Sequence, residues 1–188
     1  LYIKTLYSNK LNDIEQKTHN STELWSESVK TAEQSGATIV NNIPKEYFDF
    51  GSFRLRFVNT EADNYHAEIS ENDNSLGLLI SRGDKKLLLT GDMVNDTGDL
   101  ARLANLLGRV DVLQLPRHGE SALSKDILGA FSPKVLIATN RAADIPHQLL
   151  GEVLLNCDAT VYSTVENNGI AVTFADGGEL RLTKEIQR

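Results

Sequence analysis

The chain has 188 residues, 40% of them apolar and 24% charged, with 26 acidic against 19 basic side chains and a formal charge of −7. These values describe an ordinary globular domain with a substantial core. They disfavour a broad nucleic-acid footprint, which rewards basic surfaces, but leave room for an anionic substrate met by a metal ion. No apolar run approaches the ~20 residues needed to cross a bilayer, and the single cysteine, Cys157, excludes an internal disulfide.

In chain order, Tyr2 to Leu6 reads as a strand already under way, so the sequence is expected to be a processed or excised piece of something longer, without a signal peptide of its own. A polar stretch over residues 8–20 holds His19, read as a loop residue. Asn20 with Glu23 three positions on is a capping-box variant, and a helix through Leu24, Trp25, Val29 and Ala32 follows, stopping at Gly36. Residues 37–40 form a short strand. Tyr47 to Val58 reads as a hairpin, with Phe48-Asp49-Phe50 turning at Gly51-Ser52 into Phe53 to Val58, which alternates apolar and basic. Residues 60–73 are acidic and polar, a surface loop carrying His66; Tyr65 beside it offers an aromatic face of the kind that holds quaternary ammonium groups. A second hairpin joins residues 76–80 to 86–89. Its tip, Arg82-Gly83-Asp84-Lys85, accounts for the Arg-Gly-Asp tripeptide on backbone grounds.

The next section alternates strand and helix. Lys85 to Leu89 is an apolar run that stops at Thr90-Gly91-Asp92. Leu100, Leu103, Ala104 and Leu107 fall on one helical face. Leu113-Gln114-Leu115 then stops at Pro116-Arg117-His118-Gly119. A helix over 124–131 leads to a third apolar run at 133–140, and a helix over 146–155 starts beside His147. Cys157 follows it as a small, buried, unreactive residue. Such crossovers predict parallel strands whose ends share one rim, where open α/β sheets place their ligands. Asp92 and His118 would then be neighbours, with His147 nearby. Short strands at 160–162, 169–174 and 180–183 close the chain. No repeat or linker interrupts it, so residues 1–188 read as one α/β domain.

Asn74-Ser75-Leu76, Leu87-Leu88-Leu89-Thr90-Gly91-Asp92, Val110 to Gly119, Pro133-Lys134-Val135 and Pro146-His147 occur in an order that resembles metallo-β-lactamase-fold hydrolases. The branch it resembles holds the hydrolase domains of DNA-uptake competence proteins and the phosphorylcholine esterases of bacterial surfaces. The resemblance implies an αβ/βα sandwich with mixed sheets and flanking helices, of which this chain would be the C-terminal part. It also implies two metal ions, zinc with manganese as the alternative. Asp92 would bridge the metals and His118 would be a ligand. His147 would contact substrate or donate a proton. Asn74 and Ser75 would satisfy backbone groups at a strand start and support the site.

The chain departs from the family pattern at two places. The family's His-x-His-x-Asp-His cluster is absent, and its place is upstream of this sequence, so the missing N-terminal part of the domain becomes an expected partner. Arg117 stands where the family usually has the first histidine of His-His-Gly. A guanidinium cannot ligate zinc but can clamp a phosphate. Either His118 ligates while Arg117 binds substrate, or the second metal site is weakened. The expected activity is hydrolysis of a phosphoester substrate, with phosphorylcholine esters, small phosphodiesters and, less favoured, nucleic acid as candidates. A non-catalytic binding or scaffold module is the alternative. A secreted or cell-surface location is favoured over the cytoplasm.

Overall fold

Two hairpins and three helical crossovers build the main sheet. The computed structural model describes residues 3–10, 19–60, 72, 74–94, 98–121 and 123–184; Tyr65 and His66 lie outside the described residues. The elements are β1 Thr5–Tyr7, α1 His19–Gln34, β2 Thr38–Val40, β3 Phe48–Phe50, β4 Phe53–Val58, β5 Gly77–Arg82 and β6 Lys85–Leu89. There follow α2 Asp99–Leu107, β7 Val112–Gln114, α3 Lys125–Phe131, β8 Val135–Ala138, α4 His147–Asn156, β9 Thr160–Ser163, β10 Ile170–Phe174 and β11 Leu180–Lys184. Strands β3 to β9 lie side by side in sequence order in one seven-stranded sheet.

The first four of these strands pair antiparallel. Their two tight turns place Gly51 and Gly83 at φ near +60°, where a side chain would be strained. From β6 to β9 the pairing is parallel. Parallel neighbours cannot be joined by tight turns, and α2, α3 and α4 supply the crossovers.

The apolar runs of β6 to β8 have no polar alternation because both faces of the sheet are covered. Leu79, Leu88, Leu113 and Leu136 face the helices and pack with Leu100, Leu103, Leu128, Phe131 and Leu149. Their strand neighbours Leu87, Val112 and Ile137 face the other way, against Ile170, Val172, Phe174 and Leu180 of the β10–β11 hairpin. Arg82 fastens that hairpin, donating to the Phe174 carbonyl at 2.5 Å and pairing with Asp176 at 2.6 Å.

The parallel pair β1–β2 covers the same face further along, with the Tyr7 ring 4.6 Å from Phe57. Leu6, pointing the opposite way, lines a groove with Leu24 and Ala32 of α1. The layers are thus helices α2–α4, the large sheet, the two small sheets and α1. This is the αβ/βα order and mixed-sheet α/β class expected from the sequence.

Some local expectations change. Helix α1 opens at His19, so Asn20 lies inside the helix rather than capping it. Leu24 is 66% exposed because it borders the open groove rather than the core. Trp25 is half-buried and donates its indole N–H to the Ser8 hydroxyl at 3.0 Å. Cys157 is partly buried, and burial followed by the neighbouring Asp158 pushes its thiol up, in keeping with an unreactive residue. Among the described residues no helix is long and apolar enough to cross a membrane.

Gly77, at the head of β5, marks a close approach between the sheet and the segment after β6. A Cβ there would sit 2.6 Å from Met93 Cε and 2.8 Å from both the Leu89 carbonyl and Val58 Cγ2. Gly77→Ala is therefore expected to cost about 1–3 kcal/mol through overpacking and to displace Met93. Urea denaturation monitors this; an unchanged midpoint would show that the surroundings yield freely.

Candidate functional site at the ends of three parallel strands

Register brings three strand ends level. Leu88 pairs with Leu113 and Leu113 with Leu136, so the segments that follow β6, β7 and β8 emerge on one rim. Asp92 leaves the first and His118 the second. Although 26 positions apart in sequence, their side chains meet, Asp92 Oδ1 lying 3.3 Å from His118 Nε2. Both are about half exposed, at 47% and 54%. On the far side of the ring, His118 Nδ1 lies 2.8 Å from Thr139 Oγ1, just past the third strand.

The two loops are spliced by Gln114. Its side-chain oxygen accepts from the N–H groups of Thr90 at 3.0 Å and Gly91 at 3.2 Å, and its amide donates to the Leu115 carbonyl at 2.8 Å. The Thr90 hydroxyl donates to the Gln114 carbonyl at 2.9 Å, and the Arg117 N–H to the Gly91 carbonyl at 3.2 Å. Asp92 is fixed from behind, its N–H donating to the Ser75 hydroxyl at 3.2 Å. Ser75 belongs to an asparagine knot: Asn9 donates to the carbonyls of Asn59 and Asn74, Asn59 to that of Ser75, and Asn74 to that of Lys10. Asn74 and Ser75 thus satisfy backbone groups, as expected.

The loop after β7 is strained. Residues Pro116–Gly119 form a 3-10 turn in which Arg117 has φ 46° and ψ 50°, and His118 φ 58° and ψ 8°. Left-handed backbone costs a residue with a Cβ roughly 1–2 kcal/mol. Two features enforce it. Pro116 and Gly119 are buried on either side. Gly119 has φ +92° and presses on β8, where a Cβ would come within 2.9 Å of Ala138 Cβ.

Arg117 is half-buried, and its guanidinium makes no hydrogen bond or ion pair among the described residues. His147 is the exposed first residue of α4. It makes no hydrogen bond or ion pair with Asp92 or His118, so the structure does not bring it into contact with that pair. Among the described residues no group of three or more His, Cys, Asp or Glu gathers where it could hold a metal ion. Asp92 and His118 therefore supply two donors, short of the three protein ligands that a catalytic zinc takes. The described residues do not complete a metal centre.

The rim continues past Thr139. Asn140 donates to Glu120 at 3.1 Å, and its carbonyl lies 2.5 Å from the hydroxyl of buried Ser163. That hydroxyl also contacts Glu166, whose carboxylate accepts from the Ala142 N–H at 2.9 Å. Thr139, Gln114, Ser163 and Glu166 were not singled out by sequence reasoning. Gln114 carried a signal, as a polar residue between two leucines in a buried run; the others did not.

The chain matches no protein-family model and no curated protein. It is similar to parts of several solved structures. One is the metallo-beta-lactamase fold protein YhfI from Bacillus subtilis, at 15% identity over 97% of this chain and 65% of that one, with a TM-score of 0.49. Another is CmlA, a diiron beta-hydroxylase from Streptomyces venezuelae, at 14% identity over 67% of this chain and 32% of that one, with a TM-score of 0.43. A third is a candidate Zn-dependent hydrolase of the metallo-beta-lactamase superfamily from Thermotoga maritima, at 14% identity over 54% and 47%, with a TM-score of 0.32. The chain spans about a third of the hydroxylase and less than two thirds of each of the others. Likeness at this level assigns no role to any residue here.

Two predictions follow from the rim. Arg117→Gly relieves left-handed strain of about 1–2 kcal/mol against an unfolded-state entropy term of about 0.5–1 kcal/mol. Stability should hold or rise slightly in chemical denaturation; a clear fall would mean that the arginine stem contributes packing. The Ser163 hydroxyl first, then the Ala142 N–H, holds the Glu166 carboxyl below its usual range. A depressed folded value gives stability that is present above the unfolded value and lost as pH falls through the folded one. Thermal midpoints of Glu166→Gln should therefore fall less on acidification than those of the parent; identical acid limbs would remove Glu166 from the linkage.

Proposed function

We propose that this chain is the C-terminal part of a metallo-β-lactamase-fold hydrolase that cleaves phosphoester bonds at a binuclear metal centre. The observation that carries the reading is the Asp92–His118 approach of 3.3 Å on neighbouring parallel strand ends, at positions where the family motifs have metal ligands. Asp92 is assigned to bridge the metals and His118 to ligate one of them. The Arg117 guanidinium, with no hydrogen bond or ion pair among the described residues, has the fork geometry to clamp a phosphate. His147 is assigned as a proton donor or substrate contact, which requires it to turn from its exposed place toward the rim.

Zinc, or manganese in its place, would supply Lewis acidity and an activated water there. Two donors do not make that centre, so the other ligands are assigned to the missing N-terminal part of the domain. Phosphorylcholine esters and small phosphodiesters are the preferred substrates. The charge of −7 weighs against nucleic acid. The incomplete donor set favours one second reading, a non-catalytic binding or scaffold module.

Metal content by plasma mass spectrometry, with hydrolysis of p-nitrophenyl phosphorylcholine and bis(p-nitrophenyl) phosphate, separates the two. The full-length parent protein is expected to retain metal and hydrolyse one of the esters. Its Asp92→Ala variant should lose more activity than the ~10–100-fold typical of groups that merely support a ligand. A parent protein without metal, or an Asp92→Ala variant with unchanged kcat, would replace this reading with the scaffold one.

A further inference from the structure

We infer that Thr139 is the positioning residue of this site: its hydroxyl holds the His118 ring so that Nε2, not the Cε1 carbon, faces Asp92. The inference deepens the proposed reading of the Asp92–His118 pair but stands on contacts of its own. An imidazole on an exposed loop can turn over about its Cβ–Cγ bond, which puts Cδ2 and Cε1 where Nδ1 and Nε2 stood. Here His118 Nδ1 lies 2.8 Å from Thr139 Oγ1 while Nε2 lies 3.3 Å from Asp92 Oδ1. Turning the ring over would break both contacts. Of the two, the threonine contact has the length of a good hydrogen bond and the aspartate contact is longer, so the threonine is the stronger restraint.

Thr139 is itself held. Its loop is pinned by the Ser163 contact to the Asn140 carbonyl, by the Asn140–Glu120 bond of 3.1 Å and by the Ala142–Glu166 bond of 2.9 Å. From the other side, Gly119 lies so close to Ala138 that the spacing between the His118 and Thr139 backbones is fixed. Both partners of the 2.8 Å contact are thus set by structure that does not depend on the contact.

The residue type also fits. A carboxylate or carbonyl at this place could only accept, and would oblige Nδ1 to carry the proton. A hydroxyl can donate or accept. It donates to Nδ1 while Nε2–H points at the Asp92 carboxylate, which is acceptor-only when ionised. It accepts from Nδ1–H when the Nε2 lone pair is needed for a cation. One ring orientation therefore serves both protonation patterns, and the side group that orients a ligating histidine decides which nitrogen is offered.

The test is nitrogen-15 NMR of the His118 ring in the metal-free chain, in alkaline buffer where the imidazole is neutral, for the parent, Thr139→Ser and Thr139→Val. The parent is expected to show one ring state with a protonated Nε2 and a hydrogen-bonded Nδ1. Thr139→Ser should keep it. Thr139→Val should leave the chain folded, as judged by the dispersed amide spectrum, while the Nε2 proton exchanges with water at least tenfold faster and the ring signals average. A purely structural threonine would change the melting midpoint without changing the ring. Unchanged ring signals in a folded Thr139→Val chain, or an averaged ring in the parent, would overturn the inference. Neither result depends on metal or on turnover, so it stands or falls separately from the hydrolase reading.

Discussion

The parallel pairing of β6, β7 and β8 is the constraint on which the rest of the molecule depends. It puts Leu88, Leu113 and Leu136 in one row. With side chains alternating faces, that row meets the helices while Leu87, Val112 and Ile137 meet the β10–β11 hairpin. Slipping one strand by a single residue would exchange its two apolar rows and seat each against a surface shaped for the other, at a mispacking cost of about 1–3 kcal/mol. The register is therefore fixed by the core. Whatever stands one to four residues past each strand is carried to the same rim, and this is how Asp92, His118 and Thr139 come together.

Hydrogen bonds then refine what register places. Gln114 occupies a position where its side chain can reach the Thr90–Gly91 backbone, satisfying two N–H groups that have left the β6 ladder. Burying an amide between two leucines is tolerable only because its oxygen and its amide N–H both find partners. Ser75 does the same work behind Asp92 and is tied through Asn59 and Asn74 to the start of the chain. The first layer of the sandwich is thereby coupled to the site by polar contacts, although β1 and β2 contribute no residue to it.

Sequence periodicity revealed most of the fold because each signal was local. The turns at Gly51 and Gly83, the one-sided helix at Leu100 to Leu107 and the uninterrupted runs of β6 and β8 each reflect burial within a single element. Contacts between elements were less legible. The parallel pairing of β1 with β2 joins segments far apart in sequence, and helical spacing at Leu24 cannot say whether the groove it borders is filled. At the rim, proximity of Asp92 and His118 followed from topology. The Thr139 contact did not, because a hydroxyl at a strand end is common and its partner lies 21 positions away. His147 was placed at the start of a helix correctly, but no pattern in the sequence fixes which way an exposed side chain turns.

The energies of the His118 loop do not balance locally. Two left-handed residues, Arg117 and His118, cost together roughly 2–4 kcal/mol. The Asp92–His118 contact joins two half-exposed groups at 3.3 Å, and such pairs contribute about 0–1 kcal/mol. The pair therefore cannot be what holds the loop in its strained form. The counterweight is burial of Pro116 and Gly119 and the close seat of Gly119 on Ala138, so the geometry is imposed from the sheet and the pair is its consequence. Strain maintained by packing, with polar groups presented half-open at its apex, is the arrangement found where a backbone is set in advance for a ligand. Relaxing Arg117 to an ordinary extended conformation would relieve its own strain, but it would forfeit that packing and carry His118 away from both Asp92 and Thr139.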